Sequence, residues 1–209
     1  PDLYFLLKET CEILGLKKEP DLYISLGHLN AYTTSVGDPC IVISSGTLQM
    51  CNRDEIMFIL AHEIGHIMCE HLLYTQMAGL LPKILSAAGK FTFGATNLIG
   101  LGIDVKFRSW SRAAEFTADR FGFLACQNIG ASITTLMKLA GAPLTMINQL
   151  DVDEYLKQFD EYASLQNSGL NKAATFMGKL DESHPYSILR VKHLLDYANK
   201  VKTGIKKAA

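Results

Sequence analysis

No two of the five cysteines, Cys11, Cys40, Cys51, Cys69 and Cys126, form a C-x-x-C pair. An odd number without such pairs excludes a thiolate zinc site, argues against a disulfide framework and favours a reducing compartment. Each thiol then reads as a small buried hydrophobe. Charge of one sign is also missing. Twenty basic and 21 acidic residues leave a formal net charge of −1, which gives no electrostatic footprint for nucleic acid. The lysines at 200, 202, 206 and 207 read as a solvated end. Long apolar runs are absent too. The longest charge-free run between Leu72 and Val105 is Phe91–Ile103, and a membrane span needs roughly 18 to 20 residues. No transmembrane helix is expected. No signal peptide is visible, and the start at Pro1 leaves anything upstream unread. Repeats and low-complexity segments are lacking as well.

What is present is apolar material for one sizeable core, 48% of 209 residues, so a single domain over residues 1–209 is expected. Asp2 to Leu14 carries apolar residues at helical spacing and ends at Gly15. Leu22–Ile24, Ala31–Thr34 and Cys40–Ser44 read as short strands, the last two separated by the Gly37-Asp38-Pro39 turn signal; a small antiparallel sheet is the expectation. Asn52, with Glu55 three residues on, gives a capping-box pattern for a helix over about Arg53–Thr75. From Ile56 to Ala61 that helix is apolar nearly all round, so it is central and buried. Residues 77–105 read as a loose helical hairpin, either core-covering structure or a mobile lid or membrane-contacting flap. Ser111 is a candidate cap for a helix over about Arg112–Asn128, closed by Gly130. Asp151–Leu165 and Asn171–Lys179 are further helices. Pro185 suits the first turn of a last one that buries Ile188, Val191, Leu195 and Ala198. The expected class is α+β, mainly helical.

Within the central helix lies His62-Glu63-Ile64-Gly65-His66, an H-E-x-x-H motif. Two histidines four residues apart point the same way, about 6 Å apart along the axis. One Zn²⁺ per chain can be gripped by both, with Glu63 beside it to activate water. Burying this set is expensive unless the groups are paired or metal-bound. A catalytic site needs a third protein ligand and an open position. The pattern with a glycine at 69 and a histidine at 72 is excluded, since those positions hold Cys69 and Leu72. Glu115, on a later helix, is the best candidate. Asp119 follows it by four residues on the same face, where it can accept the second ring N–H of a ligand histidine. The remaining histidines, His28, His71 and His193, read as loop, surface or structural residues. His71 lies five positions past His66, about 140° round a continuous helix.

H-E-I-G-H, then S-R-A-A-E-F-T-A-D-R-F-G, then H-P-Y-S-I-L-R resembles the HtpX-like / CAAX prenyl endopeptidase family of zinc metallopeptidases, which are gluzincins. The likeness runs from about Asn30 to Arg190. It implies a zincin-like core, His62, His66 and Glu115 as ligands, Glu63 as base and Asp119 behind a ligand. It further implies that His184 and Arg190 reach the site, His184 as an oxyanion donor or as a group closing the open metal position. It places Asn30, Ala31 and Tyr32 on an edge strand to which extended substrate adds. The expected activity is zinc-dependent endopeptidase cleavage of extended or unfolded polypeptide. The alternative is a latent or non-catalytic member acting as a chaperone-like binding module. The family's integral-membrane members carry spans that this chain lacks. A soluble or membrane-peripheral member, or a soluble core, is therefore expected, cytoplasmic or membrane-associated.

Overall fold

The computed structural model describes residues 2–74, 76–77, 80, 95–149, 151–154, 156–157 and 187–208. Its elements run α1 (Asp2–Leu14), β1 (Asp21–Ser25), β2 (Ala31–Val36), β3 (Asp38–Ser44), α2 (Ser45–Met50), α3 (Arg53–Met68), α4 (Ala95–Cys126), α5 (Ile129–Leu139) and α6 (Ser187–Ala208), with a 3₁₀ turn at Ile147–Gln149. The protein is mainly helical with one small sheet.

The sheet is mixed, which corrects the antiparallel expectation. Its order is β1-β3-β2, with β1 parallel and β2 antiparallel to β3. The reason is burial. Strand β3 holds the most apolar run, and its Ile41 and Ile43 are fully buried, so it takes the central place with a partner on each side. Strand β1 exposes Tyr23 and Ile24 and goes to an edge. The connection between the two parallel strands passes through β2 itself, which turns back into β3 at Gly37 (φ 106°).

Helix α3 is the hub. Asn52 caps it, accepting from the Glu55 N–H, and the Glu55 carboxylate accepts from the Asn52 N–H in return. Phe58 and Ile59 pack into one core cluster with α5 and α6; Met57, Leu60, Ala61 and Ile64 pack into another with α1 and β3. A helix buried all round matches its apolar sequence. It ends at Met68, however, not near Thr75. Cys69 caps it and Glu70 takes φ 54°, which breaks the helix before helical backbone resumes at His71.

Helix α4 starts at Ala95, and Ser111 lies inside it rather than at its cap. No proline interrupts 95–110, so the helix continues upstream. It ends at Cys126, where Gln127 adopts φ 49°. Gly130 sits in the first turn of α5, a helix the sequence reading did not assign, capped by Asn128. Helices α3 and α4 approach closely through two glycines. A Cβ at Gly122 would lie 2.6 Å from the Phe58 ring, and one at Gly65 3.0 Å from Phe121. That contact sets Glu115 and Asp119 against the histidines of α3. Helix α6 buries Val191, Leu194 and Ala198, with Leu195 packed at the edge of the same cluster.

Residues 95–105 form the start of α4, and the rest of the expected 77–105 hairpin lies largely outside the described residues. So do His184, Pro185, the 171–179 helix and most of 151–165; residues 152–154 and 156–157 are helical. Among the described residues no helix is long and apolar enough to cross a membrane.

Candidate metal centre

Three helices and one strand assemble the site. Helix α3 supplies His62, Glu63 and His66, α4 supplies Glu115 and Asp119, α6 supplies Arg190, and β2 supplies Thr33. The Nε2 atoms of His62 and His66 are 3.1 Å apart. Glu115 Oε2 is 3.6 Å from the first, and Oε1 is 3.5 Å from the second. Zinc–nitrogen bonds near 2.0–2.1 Å in a tetrahedron put donor atoms about 3.3 Å apart. The two imidazole nitrogens match that spacing and each has a different Glu115 oxygen close to it, and among the described residues the three side chains form a group that could hold a metal ion, with donor atoms all within 4.8 Å of one another.

Charge agrees with spacing. The cluster holds three carboxylates, Glu63, Glu115 and Asp119, against one guanidinium, Arg190. With neutral imidazoles, as ligation requires, three minus one leaves two negative charges in excess, which suits a divalent cation. Burial alone disfavours a proton on His62. The Asp119 hydrogen bond and the Glu115 and Asp119 charges outweigh it, so the His62 pKa is raised and positive charge at this imidazole is favoured. His66 is pushed down to about 3, first by burial and then by His62, so it stays a neutral imidazole with one ring nitrogen free to ligate.

Asp119 lies against His62. His62 Nδ1 donates to the Asp119 Oδ1 at 3.0 Å, which fixes the tautomer with Nε2 facing Glu115. Asp119 is 1% exposed. Burial would raise its pKa, but Arg190 holds it below the ordinary value. Arg190 lies beside Asp119 and Glu115. Its Nε and one terminal nitrogen donate to Asp119 at 2.8 and 2.6 Å, and the other lies 3.2 Å from Glu115. The guanidinium is thus committed to two carboxylates and positions both.

Glu63 is buried beside the donors. Thr33 Oγ1 donates to its Oε2 at 2.6 Å. Burial lifts the Glu63 pKa above the ordinary carboxylate value, while His62 and the Thr33 bond pull against that rise. Asn30, Ala31 and Tyr32 line the same cleft, whose volume is about 580 Å³. Strand β2 is an edge of the sheet. The Asn30 N–H donates to the Ser44 and Thr47 hydroxyls, and its C=O accepts from the Ser44 N–H and Thr47 Oγ1, which pins the strand's start.

Two participants were missed by sequence reasoning. Thr33 shares a strand face with Ala31, and period-2 alternation from Ala31 could have found it. His71, expected about 140° round a continuing helix from His66, is instead buried with its Nδ1 2.9 Å from His66 Nδ1, because the helix breaks at Cys69 and Glu70 (φ 54°). That break carries no glycine or asparagine signal. The bland readings fit the other two: His28 is exposed in the β1–β2 loop, and His193 is exposed and stacked on Phe116. Cys11 and Cys51 are buried thiols pushed up to about 11, mainly by burial.

A buried helix with paired histidines, a glutamate donor from a later helix and a small sheet with an open edge define a zincin-like α+β metallopeptidase fold. Residues 2–198 match peptidase family M48, and the chain belongs to that family. A chloroplastic plastoglobule-localized metallopeptidase 48 of Arabidopsis thaliana is 31% identical over 204 residues, covering 96% of this chain and 58% of that protein. A protease HtpX homolog of Sulfurihydrogenibium sp. is 23% identical over 242 residues, 98% of this chain and 76% of that one. Another, of Pyrococcus abyssi, is 25% identical over 165 residues, 68% and 57%. The chain thus spans a little over half the length of the Arabidopsis relative. No solved structure matches.

Proposed function

We propose that this chain is a single zinc metalloendopeptidase domain that hydrolyses peptide bonds in extended or unfolded polypeptides. The observation that carries the reading is the convergence of His62 Nε2, His66 Nε2 and the Glu115 carboxylate, with donor atoms all within 4.8 Å of one another and Glu63 alongside. His62, His66 and Glu115 would hold one zinc ion. Zinc so held supplies Lewis acidity that makes water a usable nucleophile near neutral pH.

The chain's own residues do the rest. Asp119 holds His62 in the ligating tautomer, and Arg190 holds Asp119 and Glu115. Thr33 engages Glu63 Oε2, leaving Oε1 to take a proton from the attacking water and return it to the leaving amine. The raised pKa of Glu63 brings its proton affinity closer to that of a base poised for neutral pH. The edge of β2 at Asn30–Tyr32 would take the substrate backbone as an added strand, a mode tolerant of side chains. The oxyanion role expected of His184 belongs to the same proposal.

The test is cleavage of casein by zinc-loaded protein, paired with zinc-loaded Glu63→Gln. Turnover by the parent alone is expected. Equal turnover by both would place the chemistry elsewhere, and no turnover by a zinc-bound parent would favour a binding role. Glu115→Ala should weaken zinc binding more than the about 10- to 100-fold typical of losing an outer partner. Unchanged zinc affinity there would remove Glu115 from the ligand set.

A further inference from the structure

His66 meets a different neighbour from His62. Its Nδ1 faces His71 Nδ1 at 2.9 Å, hydrogen-bond distance between two ring nitrogens, so one must donate and the other accept. His71 is held on its far side by Trp110 of α4, edge to face at 5.4 Å, and Trp110 in turn packs against Tyr74 at 5.0 Å. The helix break at Glu70, φ 54°, lets the ring meet His66 of the preceding helix, which a continuous helix would hold about 140° away. A buried imidazole fixed by an aromatic wall and an unusual backbone is a placed group.

Which nitrogen carries the proton follows from the other side of the ring. His62 already donates from Nδ1 to Asp119, so its Nε2 presents a lone pair. For His66 to ligate beside it, its own Nε2 must also present a lone pair, and its proton must sit on Nδ1. Only an acceptor at His71 allows that. Ligand histidines almost always hand their second N–H to such a partner, which fixes ring orientation and raises basicity.

We infer that His71 is a positioning residue for the metal site: its Nδ1 accepts the Nδ1–H of His66, as Asp119 accepts that of His62. The inference rests on the zinc reading above. The two ligands then differ in kind. His62 is backed by a carboxylate, which increases its donor strength, and His66 by a neutral ring. The structure of the 69–71 turn becomes part of the metal site, although no residue in it touches the metal.

The experiment measures zinc affinity by competition with a chromophoric chelator at fixed pH, together with the absorption spectrum of the Co²⁺-loaded protein. His71→Phe keeps a ring against Trp110 but offers no acceptor. His71→Leu does the same with less bulk, should Phe not fold. His71→Asn can present Oδ1 near the position of Nδ1. We expect Kd for zinc to rise about 10- to 100-fold in Phe or Leu, with the Co²⁺ band shifted, and both to return towards the parent in Asn. Parent-like affinity and spectrum in a folded Phe or Leu variant would overturn the role of His71 while leaving the zinc site standing. Equal loss in Phe, Leu and Asn would assign His71 to packing and overturn it as well. A parent protein that binds no zinc would remove the metallopeptidase reading and this one with it.

Discussion

Helix α3 buries two glutamates eight residues apart, and their surroundings are opposite. Near its N-terminus, Glu55 is 2% exposed and fully answered. It accepts from the Asn52 N–H at 2.8 Å, Thr134 Oγ1 at 2.8 Å and the Lys138 ammonium at 2.7 Å. In the middle, Glu63 is 7% exposed and has a hydroxyl, Thr33, where Glu55 has a cation. The first arrangement neutralises a charge and ties α3 to α5. The second leaves a carboxylate with a raised proton affinity beside three converging donor atoms. The same residue type on the same helix is a neutralised strut or a carboxylate of raised proton affinity, the state the proposed base requires, according to whether a counter-charge is packed against it.

The contrast is broken most sharply by Glu63→Gln. Turnover should fall about 100- to 10,000-fold while zinc stoichiometry and melting temperature hold or the latter rises; peptide hydrolysis, metal analysis and thermal melts read all three. Activity that survives would make Glu63 a second strut.

Lys138→Met should do the reverse. It leaves the buried Glu55 with the Asn52 N–H and Thr134 hydroxyl but no cation, at a cost of about 3–5 kcal/mol, with kcat/KM of the folded fraction unchanged. Adding Glu55→Gln should recover much of the loss in urea titrations. A single variant as stable as the parent would show that the pair contributes nothing.

Gly122→Ala tests the packing that brings the two helices together. Its Cβ would meet the Phe58 ring at 2.6 Å and the Phe58 carbonyl oxygen at 3.0 Å, so α3 and α4 must part or the ring must turn. About 1–3 kcal/mol of stability should go, and zinc Kd should rise with it because Glu115 moves relative to His62. Stability lost with Kd unchanged would separate the packing from the site.

The smallest effect is in pH. The folded pKa of Glu63 is raised above 4.5, so the folded protein binds that proton more tightly than the unfolded chain does. Stability therefore declines as pH rises from 4.5 through the folded value. Glu63→Gln lacks this loss, so in chelator-stripped protein its stability advantage should open above pH 4.5 and close below it. Asp119 acts in the opposite sense. Its folded pKa lies below 3.8, so its contribution is complete above 3.8 and is lost as pH falls through the folded value. Denaturant midpoints between pH 3 and 8 distinguish the two, and an advantage independent of pH would contradict the Glu63 environment.

The local parts of this fold were legible. α1 has the bounds its apolar spacing predicts, and the Asn52–Glu55 capping box forms as its four-residue pattern requires. H-E-x-x-H declares its geometry because helical pitch alone puts His62 above His66. Glu115 and Asp119 could be nominated because a five-residue motif with two imidazoles needs a third donor and an orienting carboxylate, and one later helix offers both on one face, which the structure sets against His62. The order of the strands was not legible. Two edges and a centre can be threaded several ways, and burial of Ile41 and Ile43 selects one of them. Nor was the end of α3, where Cys69 and Glu70 carry no stop signal although Glu70 takes the left-handed backbone.

The sequence by itself therefore determined the helix that presents two imidazoles and a glutamate, the helical face shared by Glu115 and Asp119, and the three ordered motifs by which the family is recognised. Each motif depends on spacings of a few helical turns at most, and their order is simply the order of the chain. Only the tertiary structure decided that Thr33 would touch Glu63, that Arg190 would be committed to Asp119 and Glu115, and that His71 would turn inward to face His66. Those contacts join residues across strand, turn and separate helices, and close packing fixes them where no local periodicity reaches.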